Sequence, residues 1–205
     1  MMNAERCNEI FLKSIADYHK YDNINQPIDN PYEEGNIKWL LYLKNWIDTI
    51  QWHLEDLIRD PDIPAEEAVK LKRRIDHSNQ ERNDTVEKID NWFMEAFKDI
   101  KKKENTQLNS ESPGLIIDRL SILALKVYHM QEQVNREDAG KEHSDDCQGK
   151  LKILLGQQKD LSQCFNELIE DIKNGIRYMK LYRQMKMYND PSLNPILYSK
   201  DKNAK

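Results

Sequence analysis

The stretch "NWIDTIQWHLEDLIRDP" at residues 45–61 predicts a central helix of an all-α protein. In and just before it, aliphatic residues alternate three and four positions apart, as in the seam of a helix bundle. These residues are Leu40, Leu43, Ile47, Ile50, Leu54 and Leu57. Trp52 points almost directly away from the seam on a helical wheel. Because a tryptophan is costly to leave in water, we expect this helix to be covered on more than one side, by the same chain or by a second subunit.

Helical periodicity recurs on both sides of this stretch and predicts a bundle of about five helices, two of them long. The expected helices are 4–18, 34–60, 65–102, 113–136 and 146–188. Ser112 and Pro113 fit the cap and first position of the fourth helix. The polar segment 137–150 reads as an exposed connection. We therefore predict one all-α domain over 1–188 and an extended or disordered tail over 189–205.

Composition excludes several classes of function. A net charge of -5 and a pI near 5.6 provide no basic field for nucleic acid. The chain has no run of about eighteen apolar residues and no secretory signal pattern, so we expect no membrane insertion and a cytoplasmic location. Cys7, Cys147 and Cys164 are odd in number and far apart, which favours free thiols over a disulfide framework or a zinc site.

The third helix contains an anomaly, because Asn79 and Arg82 stand where its seam calls for aliphatic residues. A buried guanidinium without an acid beside it is strongly unfavourable, so we expect Arg82 to meet a carboxylate from a facing helix. The candidate partners are Asp48, Glu55, Asp56, Asp76 and Asp118. Two interpretations stay open at this point: the polar pair sets the register of two helices, or it belongs to a ligand-binding polar centre.

Other polar residues also suggest a site. Asp48, Glu55 and Arg59 share the face of Trp52 at spacings of three and four, as a solvated charge network or as part of a site. Arg119 and Lys126 form a basic edge near the start of the fourth helix, where an anion could bind.

Histidines supply the remaining candidates. His53 and His129 fit either hydrogen-bonded interior histidines or acid-base catalysts, and the stripe of His53 also contains Asp56 and Asp60 at spacings that a metal could use. The paired E-x-x-H motifs of di-iron bundles, H-E-x-x-H and glycine-rich phosphate loops are absent. "EKID" at 87–90 precedes the E-x-x-E at 167–170, the reverse of the order in helical nucleotide pyrophosphohydrolases. A divalent metal is therefore compatible with the sequence, but no metal ligands are assigned.

Three long stretches resemble a family of uncharacterised bacterial proteins known only as a domain of unknown function. They are "DNPYEEGNIKWLLYLKNWIDTIQWHLEDLIRDP" at 29–61, "LKRRIDHSNQERNDTVEKIDNWF" at 71–93 and "SPGLIIDRLSILALKVYHM" at 112–130. The resemblance implies a bacterial source, a stand-alone domain and a context in envelope sugar metabolism. It implies no established activity and no catalytic residue.

Two hypotheses of function follow. In the first, the protein is a binding or scaffold module with a buried polar site, which self-associates or holds a protein partner through an interface at Trp52. In the second, it is an enzyme that acts on a small anionic substrate, phosphorylated or sugar-linked. Arg82, Arg119 and Lys126 would hold the anion, and the other ligand-binding residues would be Trp52, Arg59, Asn79 and Asp118. His53 or His129 would act as general acid or base, with Asp48, Glu55 and Asp56 orienting them or taking a divalent metal.

Overall fold

The computed structural model of the protein describes residues 2–183 and 190–200. Over these residues it is an all-α single-domain bundle, which confirms the predicted fold class. The elements are α1 (Ala4–Tyr18), α2 (Ile37–Leu57), α3 (Ala65–Ala96), β1 (Gln107–Leu108), α4 (Pro113–Val134), α5 (Gly140–Lys173), β2 (Arg177–Tyr178) and α6 (Pro195–Lys200). Within the described residues, no helix combines the length and the apolar character needed to span a bilayer.

Helix α2 occupies the centre of the bundle, as its seam predicts. It packs against α1, α3 and α4, and α5 covers the far side of α4. Leu41, Tyr42 and Leu54 are fully buried, and Trp46 is 5% exposed. Since α2 packs against three neighbouring helices, polar groups on its buried faces have little access to water and must find partners inside the bundle.

The start of α4 is anchored to α3. The Ser112 hydroxyl accepts a hydrogen bond from the backbone N–H of Leu115, as expected of an N-cap, and donates one to Asp90 Oδ2 at 2.5 Å. Asp90 Oδ1 also accepts the backbone N–H of Gly114 at 2.7 Å. A Cβ at Gly114 would lie 2.7 Å from the Asp90 carboxyl carbon, so only glycine allows this approach. The anchor fixes α4 against α3 one turn before Asp118.

The predicted fifth helix, 146–188, is wrong at both ends. Helix α5 begins at Gly140, because the polar segment predicted as a connection continues as a solvated helix with i,i+4 ion pairs such as Lys141–Asp145. It ends at Lys173, because Gly175 adopts a positive φ of 67° that stops the helix. Ile176 and Tyr182, which the predicted helix includes, lie beyond its observed end and are exposed.

After α5 the chain forms a short parallel strand pair that the sequence did not predict. The backbone N–H of Gln107 donates to the carbonyl of Ile176 at 2.9 Å, and that of Asn109 donates to the carbonyl of Tyr178 at 2.8 Å. This pairing occupies residues just beyond α3, which ends at Ala96 and not at the predicted 102. Residues 184–188 of the predicted fifth helix and residues 189 and 201–205 of the predicted tail lie outside the described residues.

Candidate functional site

Arg82 meets a carboxylate of a facing helix, as predicted. Its Nε and Nη2 donate to the two oxygens of Asp118 in α4 at 2.9 and 2.8 Å, a bidentate pair. Its Nε also lies 3.5 Å from Asp48 Oδ1 in α2. The Arg82 side chain keeps 25% of its surface exposed, so one edge of this ion pair faces solvent.

Lys44 completes the arrangement, and sequence reasoning missed it. Its side chain is fully buried, forms an ion pair with Asp48 one turn along α2, and lies 2.8 Å from Asp118 Oδ1. We call Lys44, Asp48, Arg82 and Asp118 the ion cluster. A signal was present in the sequence: Lys44 follows Leu40 by four residues and precedes Asp48 by four, on the seam itself.

The pKa values in the ion cluster reflect competition between burial and pairing. Burial raises the pKa of Asp118, but hydrogen bonds from Arg82 and Lys44 outweigh it and hold the value at about 2. Burial raises the pKa of Asp48, against the attraction of Lys44 and a 2.5 Å hydrogen bond from Ser121. Since Lys44, Ser121 and Arg82 all direct donors or positive charge at Asp48, we assign it as a carboxylate, and the cluster balances two cations with two anions.

Acid should weaken the fold through Asp118. Its pKa of about 2 lies below the ordinary value of 3.8, so the ionised group stabilises the native state above pH 3.8 and loses that effect as the pH falls toward 2. This lowering of the Asp118 pKa corresponds to a contribution of about 2 kcal/mol to the free energy of unfolding. We expect the difference in unfolding free energy between the wild type and Asp118→Asn, measured with urea, to shrink by about this amount between pH 5 and pH 2. A difference that is independent of pH would contradict this assignment.

A cleft of about 390 Å³ opens above the ion cluster, and we call it the Trp52 cleft. Its lining residues are Asp48, Gln51, Trp52, Glu55, Asp56, Arg59, Arg82, Ile122 and Leu125. Five predicted site residues, Asp48, Trp52, Glu55, Arg59 and Arg82, therefore lie together in one cleft. Asp118 contacts this group through Arg82.

Other predicted site residues lie elsewhere. Arg119 and Lys126 line a separate cleft of about 590 Å³ on the α5 side of Ile122, and Arg119 pairs with Glu111 at 3.0 Å. Asn79 accepts a hydrogen bond from Gln51 at 2.9 Å and does not line the Trp52 cleft. The three cations that were expected to hold one anion, Arg82, Arg119 and Lys126, thus do not line one cleft, because Arg82 turns toward α2 and the other two toward α5.

His53 and His129 lie side by side, together with His19, which the sequence reasoning did not select. One ring nitrogen from each lies within 4.8 Å of the others. In the described part of the chain, the Nε2 atoms of all three are buried without a hydrogen-bond partner. We call these residues the histidine cluster. They come from the end of α1, from α2 and from α4, so no periodicity within one helix could have grouped them.

The histidine cluster adjoins the Trp52 cleft through one side chain. The ring of Trp52 stacks on His129 with centroids 4.8 Å apart and planes at 15°. Trp52 also lines the cleft. The cover that we expected for this tryptophan is thus provided by α4 of the same chain.

These observations define a class of protein: an all-α single-domain bundle with a buried ion cluster beneath an aromatic cleft. Residues 38–181 match a family described as a protein of unknown function, DUF4254, and the chain belongs to that family. The matched residues contain the whole ion cluster and the Trp52 cleft, whereas His19 precedes them. Searches of curated proteins and of solved structures gave no match.

Proposed function

We propose that this protein is a binding module for a small organic ligand held in the Trp52 cleft. The observation that carries the proposal is the combination of an aromatic wall, two aliphatic residues and an ionic floor in one concave site. Its volume of about 390 Å³ falls within the range of about 300–1,000 Å³ typical of ligand pockets. In such pockets apolar surface supplies affinity and a few fixed polar groups set orientation. Here Trp52 would pack against a planar part of the ligand.

The charges of the cleft favour a cationic group on the ligand. Arg82 is engaged by Asp118 and Asp48, so its charge is compensated. Arg59 donates to the backbone carbonyl of Glu55 at 2.5 Å and lies between the carboxylates of Glu55 and Asp56. The rim therefore holds two acids and one arginine, an excess of negative charge that attracts cations. The cleft therefore favours a ligand with an amine or another hydrogen-bond donor over the small anionic substrate of the second hypothesis.

Self-association, a protein partner, an enzymatic role and a cytoplasmic location in a bacterium remain predictions. The sequence argument for an interface at Trp52 was that this ring needed cover. His129 of the same chain provides that cover, so Trp52 requires no second subunit. Trp52→Ala is accordingly expected to alter ligand binding in the cleft and to leave the molecular mass in solution unchanged.

A charge-matched ligand panel tests the proposal. Phenethylamine and tryptamine are compared with 3-phenylpropionate and indole-3-propionate, which carry similar rings and the opposite charge. The amines should raise the unfolding midpoint and the carboxylates should not, because a ligand present at about 100 times its Kd stabilises the native state by about 2.7 kcal/mol. Glu55→Gln should reduce the effect. Glu95→Gln, a change of the same kind at an exposed position of α3, should not. A midpoint raised by carboxylates alone, or by neither set, would contradict the proposal.

A further inference from the structure

We propose that His19, His53 and His129 form a binding site for one divalent transition-metal ion. Three imidazoles from three helical regions converge with one nitrogen each inside 4.8 Å. Among the residues that the structure describes, the Nε2 atom of each ring is buried and has no hydrogen-bond partner. A buried polar atom without a partner destabilises the fold by about 1–3 kcal/mol, so three of them at one point indicate a ligand that binds nitrogen lone pairs. The inference goes beyond the proposed function and requires no ligand in the Trp52 cleft.

The tautomers of two of these histidines are fixed by their other nitrogen. His19 Nδ1 lies 2.7 Å from the carbonyl oxygen of Ile15, which can only accept, so Nδ1 carries the proton and Nε2 keeps its lone pair. His129 Nδ1 lies 2.8 Å from Glu132 Oε2 and is fixed in the same way. A carbonyl or carboxylate behind the ring is the usual support of a metal-binding histidine, because it orients the imidazole and makes it more basic.

Aromatic neighbours hold all three rings in place. His53 stacks on Tyr18 with centroids 5.2 Å apart, and His19 packs against Tyr128 at 4.5 Å. His129 is held by its stack on Trp52. Rings that are already positioned lose little conformational freedom when they bind an ion.

The donor set determines which metal fits. Neutral imidazole suits Zn²⁺, Ni²⁺ and Cu²⁺, whereas Mg²⁺ prefers oxygen ligands. Zinc bonds nitrogen at about 2.0–2.1 Å, which places two tetrahedral ligands about 3.4 Å apart. Since the ring nitrogens lie within 4.8 Å of one another, they need to approach by up to about 1.4 Å. Three protein ligands leave a fourth position open, as in catalytic zinc sites.

The histidine cluster adjoins an acidic cleft through His53. A cleft of about 610 Å³ is lined by His53 together with Asp22, Asp56, Arg59 and Asp60. Its three acids outnumber its single arginine, which raises the local concentration of divalent ions. Asp22 Oδ1 lies 3.6 Å from His53 Nε2, so this carboxylate is placed to supply or orient the fourth ligand.

Calorimetric titration of the metal-free protein with ZnCl₂ tests the inference, with MgCl₂ as the control ion. We expect one Zn²⁺ per chain and no response to Mg²⁺. Replacing His19, His53 or His129 singly with glutamine should weaken zinc binding by at least about 100-fold, since loss of a supporting partner alone costs about 10–100-fold. The other two of the five histidines provide matched controls: His77→Gln and His143→Gln should bind zinc as the wild type does.

Two further measurements separate metal binding from a purely structural role. Glu132→Gln alters an exposed side chain behind His129 and should weaken zinc binding by about 10–100-fold with an unchanged circular dichroism spectrum. Bound Co²⁺ should show the visible bands of nitrogen ligation without a thiolate charge-transfer band. Zinc affinity that is unaffected by the three cluster substitutions would overturn the inference. So would a thiolate band, which would instead assign the ion to Cys147 and His143, whose Sγ and Nε2 atoms lie 3.5 Å apart.

Discussion

Replacing Lys44 with methionine is expected to lower the free energy of unfolding by about 3–5 kcal/mol, the usual effect of removing one partner from a buried ion pair. Methionine matches the length of the lysine side chain and fills most of its space. The loss would therefore come from charge, because Asp48 is only 3% exposed and would keep its carboxylate without the ammonium group beside it. The measurement is urea unfolding at neutral pH.

Two comparisons isolate the electrostatic contribution of Lys44. The double variant Lys44→Met with Asp48→Asn should be more stable than Lys44→Met alone, because it removes the uncompensated charge while Arg82 and Asp118 remain paired. Lys72→Met breaks an exposed i,i+4 pair with Asp76 and should change stability by less than about 1 kcal/mol. If Lys44→Met cost no more than Lys72→Met, the ion cluster would not contribute to the fold as described.

Asp90→Ala is expected to lower the free energy of unfolding by about 2–4 kcal/mol, because two buried donors lose their acceptor. These donors are the Ser112 hydroxyl and the backbone N–H of Gly114, at the first turn of α4. A carboxylate at a helix N-terminus also interacts favourably with the helix dipole. Since α4 contributes Asp118 and His129, loosening of its start should also disturb the ion cluster and the histidine cluster.

Asp90→Asn provides the conservative comparison. Its amide oxygen can still accept the Gly114 N–H, and its amide nitrogen can donate to the Ser112 hydroxyl, so we expect less than half the loss seen for alanine. Asp99→Ala, at an exposed position beyond α3, should have almost no effect. Equal stabilities of Asp90→Ala and Asp99→Ala would show that α4 does not depend on this anchor.

Features encoded within one helix were predictable from sequence. The start of α4 follows from Ser112 and Pro113, which act locally. The position of Arg82 on an apolar seam likewise predicted that it needs a carboxylate partner, and five candidates were named. The sequence did not predict which of the five it is. The start of α5 was not predictable from periodicity, since residues 140–150 are mostly polar all round the helix and only Cys147 among them is buried.

Features that depend on how helices meet were not predictable. Lys44 was overlooked because lysine on a seam is usually assumed to extend its amine to solvent, and only the packing of α4 on α2 encloses it. His19 lies just after α1 and belongs to no periodic pattern in the sequence. It comes close to His53 only because α1 and α2 pack against each other. The direction of Arg119 and Lys126 toward α5 likewise depends on the rotation of α4, which short-range spacing does not determine.

Trp52 joins the Trp52 cleft to the histidine cluster, and NMR signals from the four tryptophan indole N–H groups test that connection most directly. The signal of Trp52, assigned with Trp52→Phe, should shift on addition of phenethylamine and, in a separate titration, on addition of Zn²⁺. The signal of Trp92, which packs on Phe93 in α3, should move in neither titration. Shifts at Trp92 with none at Trp52 would contradict the placement of both binding sites around this side chain.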